Sequence, residues 1–164
     1  MKHRLSFAAV VISLLFFASG CSCLKLNDSE VCMQANYSLT AYAEYCDEEY
    51  ILNIRHTGGD YRIIYNQPNT LAGFEEYYTI NENGEWDISI NYQGLSMDID
   101  NSSLLEASIG NNIVYSLNDA KTKKGREVSG ITDEGSYLLK LDSEGYPVEL
   151  TFSQQDLKIS FKSE

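Results

Sequence analysis

The sequence predicts a mainly β protein, one antiparallel sheet with a short helical segment packed against it. Three observations predict this. Apolar and polar residues alternate in run after run. Turn-forming pairs such as Gly58-Gly59, Asn83-Gly84 and Gln93-Gly94 separate the runs. After Asn101 one segment switches to an apolar spacing near 3.6.

The chain begins MKHRLSFAAVVISLLFFASGC. Lys2 and Arg4 make a positive start, Leu5 to Ala18 is almost unbroken apolar sequence, and Ala18, Ser19 and Gly20 are small. This reads as a secretory signal over residues 1–20. Crossing a bilayer needs about 20 apolar residues, and this run falls short. Cys21 follows at once, where a bacterial lipoprotein accepts its lipid. Ala18 stands where such signals usually carry Leu, and Ala18 and Gly20 also suit ordinary signal cleavage, so that alternative stays open. Residues 21–34 lack periodicity and read as a lipidated spacer, which leaves 35–164 as a single domain.

Tyr37, Leu39, Ala41, Ala43 and Tyr45 share one face of a first strand, opposite Ser38, Thr40, Tyr42 and Glu44. Tyr50, Leu52 and Ile54 make a second strand. Tyr61, Ile63 and Tyr65 make a third, which Pro68 stops. Phe74 to Ile80 is the fourth. Asn81 to Gly84 turns into Trp86, Ile88, Ile90 and Tyr92, and Gln93-Gly94 turns into Leu95, Met97 and Ile99. Ser102 or Ser103 can cap a helix, with Glu106 completing a capping box for Ser103. Leu104, Leu105, Ile109, Ile113 and Leu117 follow, and Gly110-Asn111-Asn112 is expected to interrupt them. The reading is one broken helix or two short ones near 103–120. Four strands close the chain: Glu127 to Thr132, Ser136 to Leu141, Pro147 to Phe152 and Leu157 to Lys162.

Beyond residue 20 there are ten basic residues against twenty-four acidic ones. Such a chain repels nucleic acid and anionic head groups. Cys21, Cys23, Cys32 and Cys46 are the cysteines. With Cys21 acylated, Cys32 and Cys46 could form a disulfide outside the cytoplasm, leaving Cys23 over. With Cys21 unmodified, two disulfides could form.

Signals for chemistry are sparse. No P-loop, G-x-S-x-G, G-x-G-x-x-G or H-E-x-x-H occurs, and no cofactor is implied. His56, before Gly58-Gly59, reads as a solvated strand end. The cysteine and histidine spacings match no usual zinc pattern. Asp98-Ile99-Asp100-Asn101 resembles the start of a calcium loop without its later Gly and Glu. Asp47-Glu48-Glu49, Glu75-Glu76 and Asp133-Glu134 bring acids together, but neighbours on a strand point to opposite faces. Two features read as a ligand or partner surface. Lys121, Lys123, Lys124 and Arg126 crowd four cations into six residues, although a solvated connection explains them as well. Tyr61, Tyr65, Trp86 and Tyr92 either line an apolar hollow or belong to the core.

Pro68-Asn69-Thr70-Leu71-Ala72-Gly73, Tyr92-Gln93-Gly94-Leu95, and Asp142-Ser143-Glu144-Gly145-Tyr146-Pro147 with Leu150 behind it are turn signatures. With the order of strands, helix and closing hairpins, the chain resembles the LolA/LppX-type lipoprotein superfamily over residues 37–162, in particular its small Gram-positive, germination-lipoprotein-like members. The resemblance implies a strongly curved half-barrel whose concave face a helix closes. It implies a binding protein, not a catalyst. The expected function is therefore a lipid-anchored protein on the outer face of a bacterial cell membrane that binds or escorts a protein partner or an amphipathic ligand. A carbohydrate-active hydrolase using paired carboxylates, and a purely structural envelope lipoprotein, are the alternatives.

Overall fold

The structure is a computed structural model, and it describes residues 30–99, 109–132 and 135–163. The signal, Cys21 and Cys23, the cap at Ser103 and the acids Asp133-Glu134 lie outside the described residues.

Ten strands form one antiparallel sheet: β1 (Tyr37–Tyr45), β2 (Glu48–Thr57), β3 (Asp60–Gln67), β4 (Glu75–Ile80), β5 (Trp86–Tyr92), β6 (Leu95–Ile99), β7 (Glu127–Thr132), β8 (Gly135–Leu141), β9 (Pro147–Phe152) and β10 (Leu157–Ser163). Helix α1 (Ile109–Ala120) lies between β6 and β7. The order across the sheet is β6-β5-β4-β3-β2-β1-β10-β9-β8-β7. Two meanders thus meet where β1 pairs with β10, and the sheet stays open, with β6 and β7 as its edges.

The alternation read from the sequence sets the two faces. One row runs Ile99, Ile88, Tyr78, Tyr61, His56, Tyr37 across six strands. The next runs Met97, Ile90, Glu76, Ile63, Ile54, Leu39. On β8 to β10 the same face carries Tyr137, Leu139, Leu150, Phe152, Leu157 and Ile159. α1 places Ile113, Val114, Leu117 and Ala120, all fully buried, against it.

The sheet curls around this helix. Lys121 Nζ lies 4.7 Å above the ring of Tyr61 on β3. Two residues away, Asp119 Oδ2 accepts a 2.6 Å hydrogen bond from Tyr137 of β8. In a flat sheet β3 and β8 would stand about 24 Å apart, twice the width of a helix with its side chains. A concave sheet lets one helix end meet both.

Three expectations need correcting. The helix does not break at Gly110-Asn111-Asn112, which are helical and buried. Gly110 is there for space: a Cβ would stand 1.9 Å from Glu76 Oε2. The spacer does not extend to residue 34. Val31 and Met33 are buried, Gly125 N donates to Val31 O, and Gln34 N donates to Gly145 O. The arm passes so close to Gly145 that a Cβ would stand 2.1 Å from Cys32 O, and Gly145 also takes a φ of 89°.

Cys32 and Cys46 are both free and exposed, and this overturns the expected disulfide between them. Cys32 bridges to Lys124 beside the β8–β9 turn. Cys46 sits in the β1–β2 turn, at the β9–β10 end of the sheet. The length of β9, about 20 Å, lies between those ends, far beyond the roughly 7 Å that a disulfide spans.

Candidate functional site

The aromatic residues expected to line an open hollow mostly form the core under α1. Tyr61 is 1% exposed and Tyr65 3%. Tyr65 donates to Glu76 Oε1 at 3.0 Å and accepts from Gly110 N. Trp86 is half-buried, edge-on to Tyr61 and Tyr78 and tilted against Tyr115. Tyr92 reaches Phe74 and the Thr70 carbonyl near the surface. Tyr61 and Tyr65 are thus withdrawn from any surface because the helix, which the sequence placed only loosely, covers them.

The cation cluster divides in the same way. Lys121 covers the Tyr61 ring, and burial pulls its ammonium below the usual lysine range. Lys123 pairs with Asp119 at 2.6 Å and donates to Ser129 O. Lys124 and Arg126 are exposed on the connection to β7. Lys121 and Lys123 therefore serve the fold.

His56 is not a solvated strand end. It is 3% exposed, with Tyr37 stacked on one side at 5.0 Å and Tyr61 tilted on the other at 4.4 Å. Neither ring nitrogen makes a well-formed hydrogen bond among the described residues. Burial, then the Lys121 charge, lowers its pKa to about 4, with the Ala35 backbone and Asp60 opposing.

Of the expected acids, Glu75 and Glu76 are engaged within the fold. Glu75 pairs with Arg62 at 2.9 Å and accepts from Tyr77, and the Tyr77 bond does most to hold its carboxyl below the usual range. Glu76 faces the other way, fully buried, accepting from Tyr65 and Tyr78. Among the described residues no three His, Cys, Asp or Glu are grouped to hold a metal.

A hollow lies elsewhere, at the β1–β2 and β9–β10 hairpin end. It has a volume of about 870 Å³ and is lined by Tyr42, Tyr45, Tyr50, Cys46, Asp156 and Lys158, among others. Glu44, Asp47 and Glu49 join its rim. Lys158, its one cation, is engaged by Glu149 at 2.6 Å. Burial, reinforced by Glu48 and Cys46, raises the Tyr50 hydroxyl. The turn below is tight, with Cys46 and Asp47 both at positive φ, 52° and 65°. His56 lies at the far end of β1, opposite Tyr37, and does not reach this hollow. Tyrosine faces and carboxylates together suit a basic or aromatic segment of a partner. One sequence signal pointed here: Tyr42 is an aromatic on the polar face of β1, and it is 43% exposed. The joining of two distant hairpins into one hollow had no signal.

No protein-family model matches this chain, and no curated protein matches it. Among solved structures it is similar to a DUF1329 family protein from Desulfovibrio piger ATCC 29098. The identity is 8% and the TM-score 0.39, over 77% of this chain and 82% of that one.

Proposed function

We propose that this chain is a LolA/LppX-like envelope lipoprotein, anchored through Cys21 on the outer face of a bacterial cell membrane, and that it holds a protein partner there. The observation that carries the reading is the Ala18-Ser19-Gly20-Cys21 junction closing an apolar run that is too short to span. A tether of this kind keeps a binding surface at high local concentration without tight affinity.

The filled concave face favours a protein partner over an amphipathic ligand, because α1 occupies the place where an acyl chain would lie. The hollow at the hairpins is the better binding surface. The N-terminal arm joins the fold beside Gly145, and β1 then runs about 30 Å to the hollow. The surface therefore sits at the end of the sheet opposite the contact of Cys32 with Gly145.

The test is cross-linking in intact membranes with a photoreactive group at position 49, on the rim of the hollow, in the natural chain and in a Tyr42→Lys/Glu44→Lys chain. Both positions are exposed, so the fold should persist. A discrete protein adduct that the double variant loses is the expected result. An adduct of undiminished yield, or lipid adducts alone, contradicts the reading.

A further inference from the structure

β6 ends the sheet, paired with β5 on one side only. Gln93 and Gly94 form a two-residue turn with both φ positive, 52° and 83°. That turn makes Tyr92 and Leu95 a hydrogen-bonded pair, and the ladder then alternates. Leu95, Met97 and Ile99 therefore direct their backbone groups to β5, and Ser96 and Asp98 direct theirs outward at the edge of the sheet. Two N–H and two C=O groups form this outer rim. The side chains are sorted as well. Leu95, 79% exposed, and Met97, 61% exposed, extend the apolar face beyond the reach of α1, while Ser96 and Asp98 lie on the other face. β6 is short, but an apolar edge that none of the described residues covers is a pairing site.

We propose that two copies of this chain associate through β6, antiparallel, about a twofold axis at Met97. This register brings Ser96 opposite Asp98 of the partner subunit, and Asp98 opposite the partner's Ser96. Both are hydrogen-bonded pairs, so all four outward groups on each copy find partners. The Ser96 hydroxyl can donate to the facing carboxylate. Met97 meets its own copy, and Leu95 meets the partner's Ile99, in a continuous apolar ladder. Shifting the axis to Asp98 would set two carboxylates face to face, and shifting it to Ser96 would leave Asp98 opposite the Gly94 turn. Only the Met97 axis uses every group, and an isologous contact closes at two copies. The strip is narrow, so the association is weak, in the micromolar to millimolar range. Both copies are strongly acidic, so added salt strengthens it, the reverse of a contact made by opposite charges. The inference rests on the strand alone and stands whether or not the distal hollow binds a partner.

The test is sedimentation equilibrium of the full detergent-extracted chain in density-matched buffer, with protein concentration and salt both varied. The expected result is a mass rising from one copy towards two, and rising further with salt. Met97→Lys places two cations face to face, and Ser96→Pro removes an outward N–H without touching the β5 ladder. Each should return the mass to one copy, with the melting temperature nearly unchanged. Separately, oxidation of a Met97→Cys chain should yield a peptide joining position 97 of one copy to position 97 of the other. One copy at every concentration, or a dimer indifferent to Met97→Lys and without that peptide, overturns the proposal.

Discussion

His56 shows how a side chain can be misplaced by its local sequence. A histidine two residues before a Gly-Gly turn reads as solvated. Its burial depends on Tyr37 and Tyr61, which flank it from β1 and β3 and belong to other strands in sequence. The consequence is a pH dependence with a definite sign. The folded state holds the ring with a pKa near 4, below the roughly 6.5 of an unfolded chain. The unfolded chain therefore binds the extra proton between those values. This contribution to stability is complete above pH 6.5 and falls away as pH drops towards 4, by at most about 1.4 kcal/mol per pH unit. Urea denaturation between pH 6.5 and 5, above most carboxylate titrations, should show the decline. His56→Phe keeps the aromatic stack and should flatten the curve over that range. An equal slope in the variant would assign the effect to other groups.

At the scale of elements, the strands were largely legible. Alternation marked both faces of β1 to β5, and the turns at Asn81 to Gly84 and Gln93-Gly94 fall where the residues place them. Asn81 even organises its turn directly, accepting from the amides of Asn83 and Glu85. The helix was legible in kind and not in detail. Gly110 looked like an interruption because glycine weakens a helix by about 1 kcal/mol against alanine. In the fold it is required, since Glu76 and the Tyr65 hydroxyl fill the space a Cβ would need. Gly110→Ala should therefore destabilise the protein by about 1–3 kcal/mol despite the gain in helix propensity. A lowered denaturation midpoint checks this, and a raised one would mean that the helix does not press on Glu76. The cysteine reading failed for a related reason. The cysteine count and an oxidising compartment suggested a bridge, and β9 holds the two thiols at opposite ends of the sheet.

For the whole molecule, the decisive contact is β1 with β10, which joins residues more than a hundred positions apart. No local pattern announces such a pairing. It turns two meanders into one sheet, gives α1 a concave face to cover, and assembles the distal hollow from the β1–β2 and β9–β10 hairpins. That explains why the ligand surface expected at Tyr61 and Tyr65 became core, while Tyr42 and Tyr50 came to line an opening. The apolar run from Leu5 to Ala18 and the acid excess, by contrast, are properties of composition and order alone. The function proposed for the molecule rests on lipid at Cys21, and its most direct test is fractionation of washed cell envelopes with intact-mass measurement. The natural chain should stay with the membranes, carry lipid mass on a polypeptide that starts at residue 21, and be released when Cys21→Ser is made. A Cys21→Ser chain that remains as firmly membrane-bound, or a natural chain without lipid mass, would contradict the account.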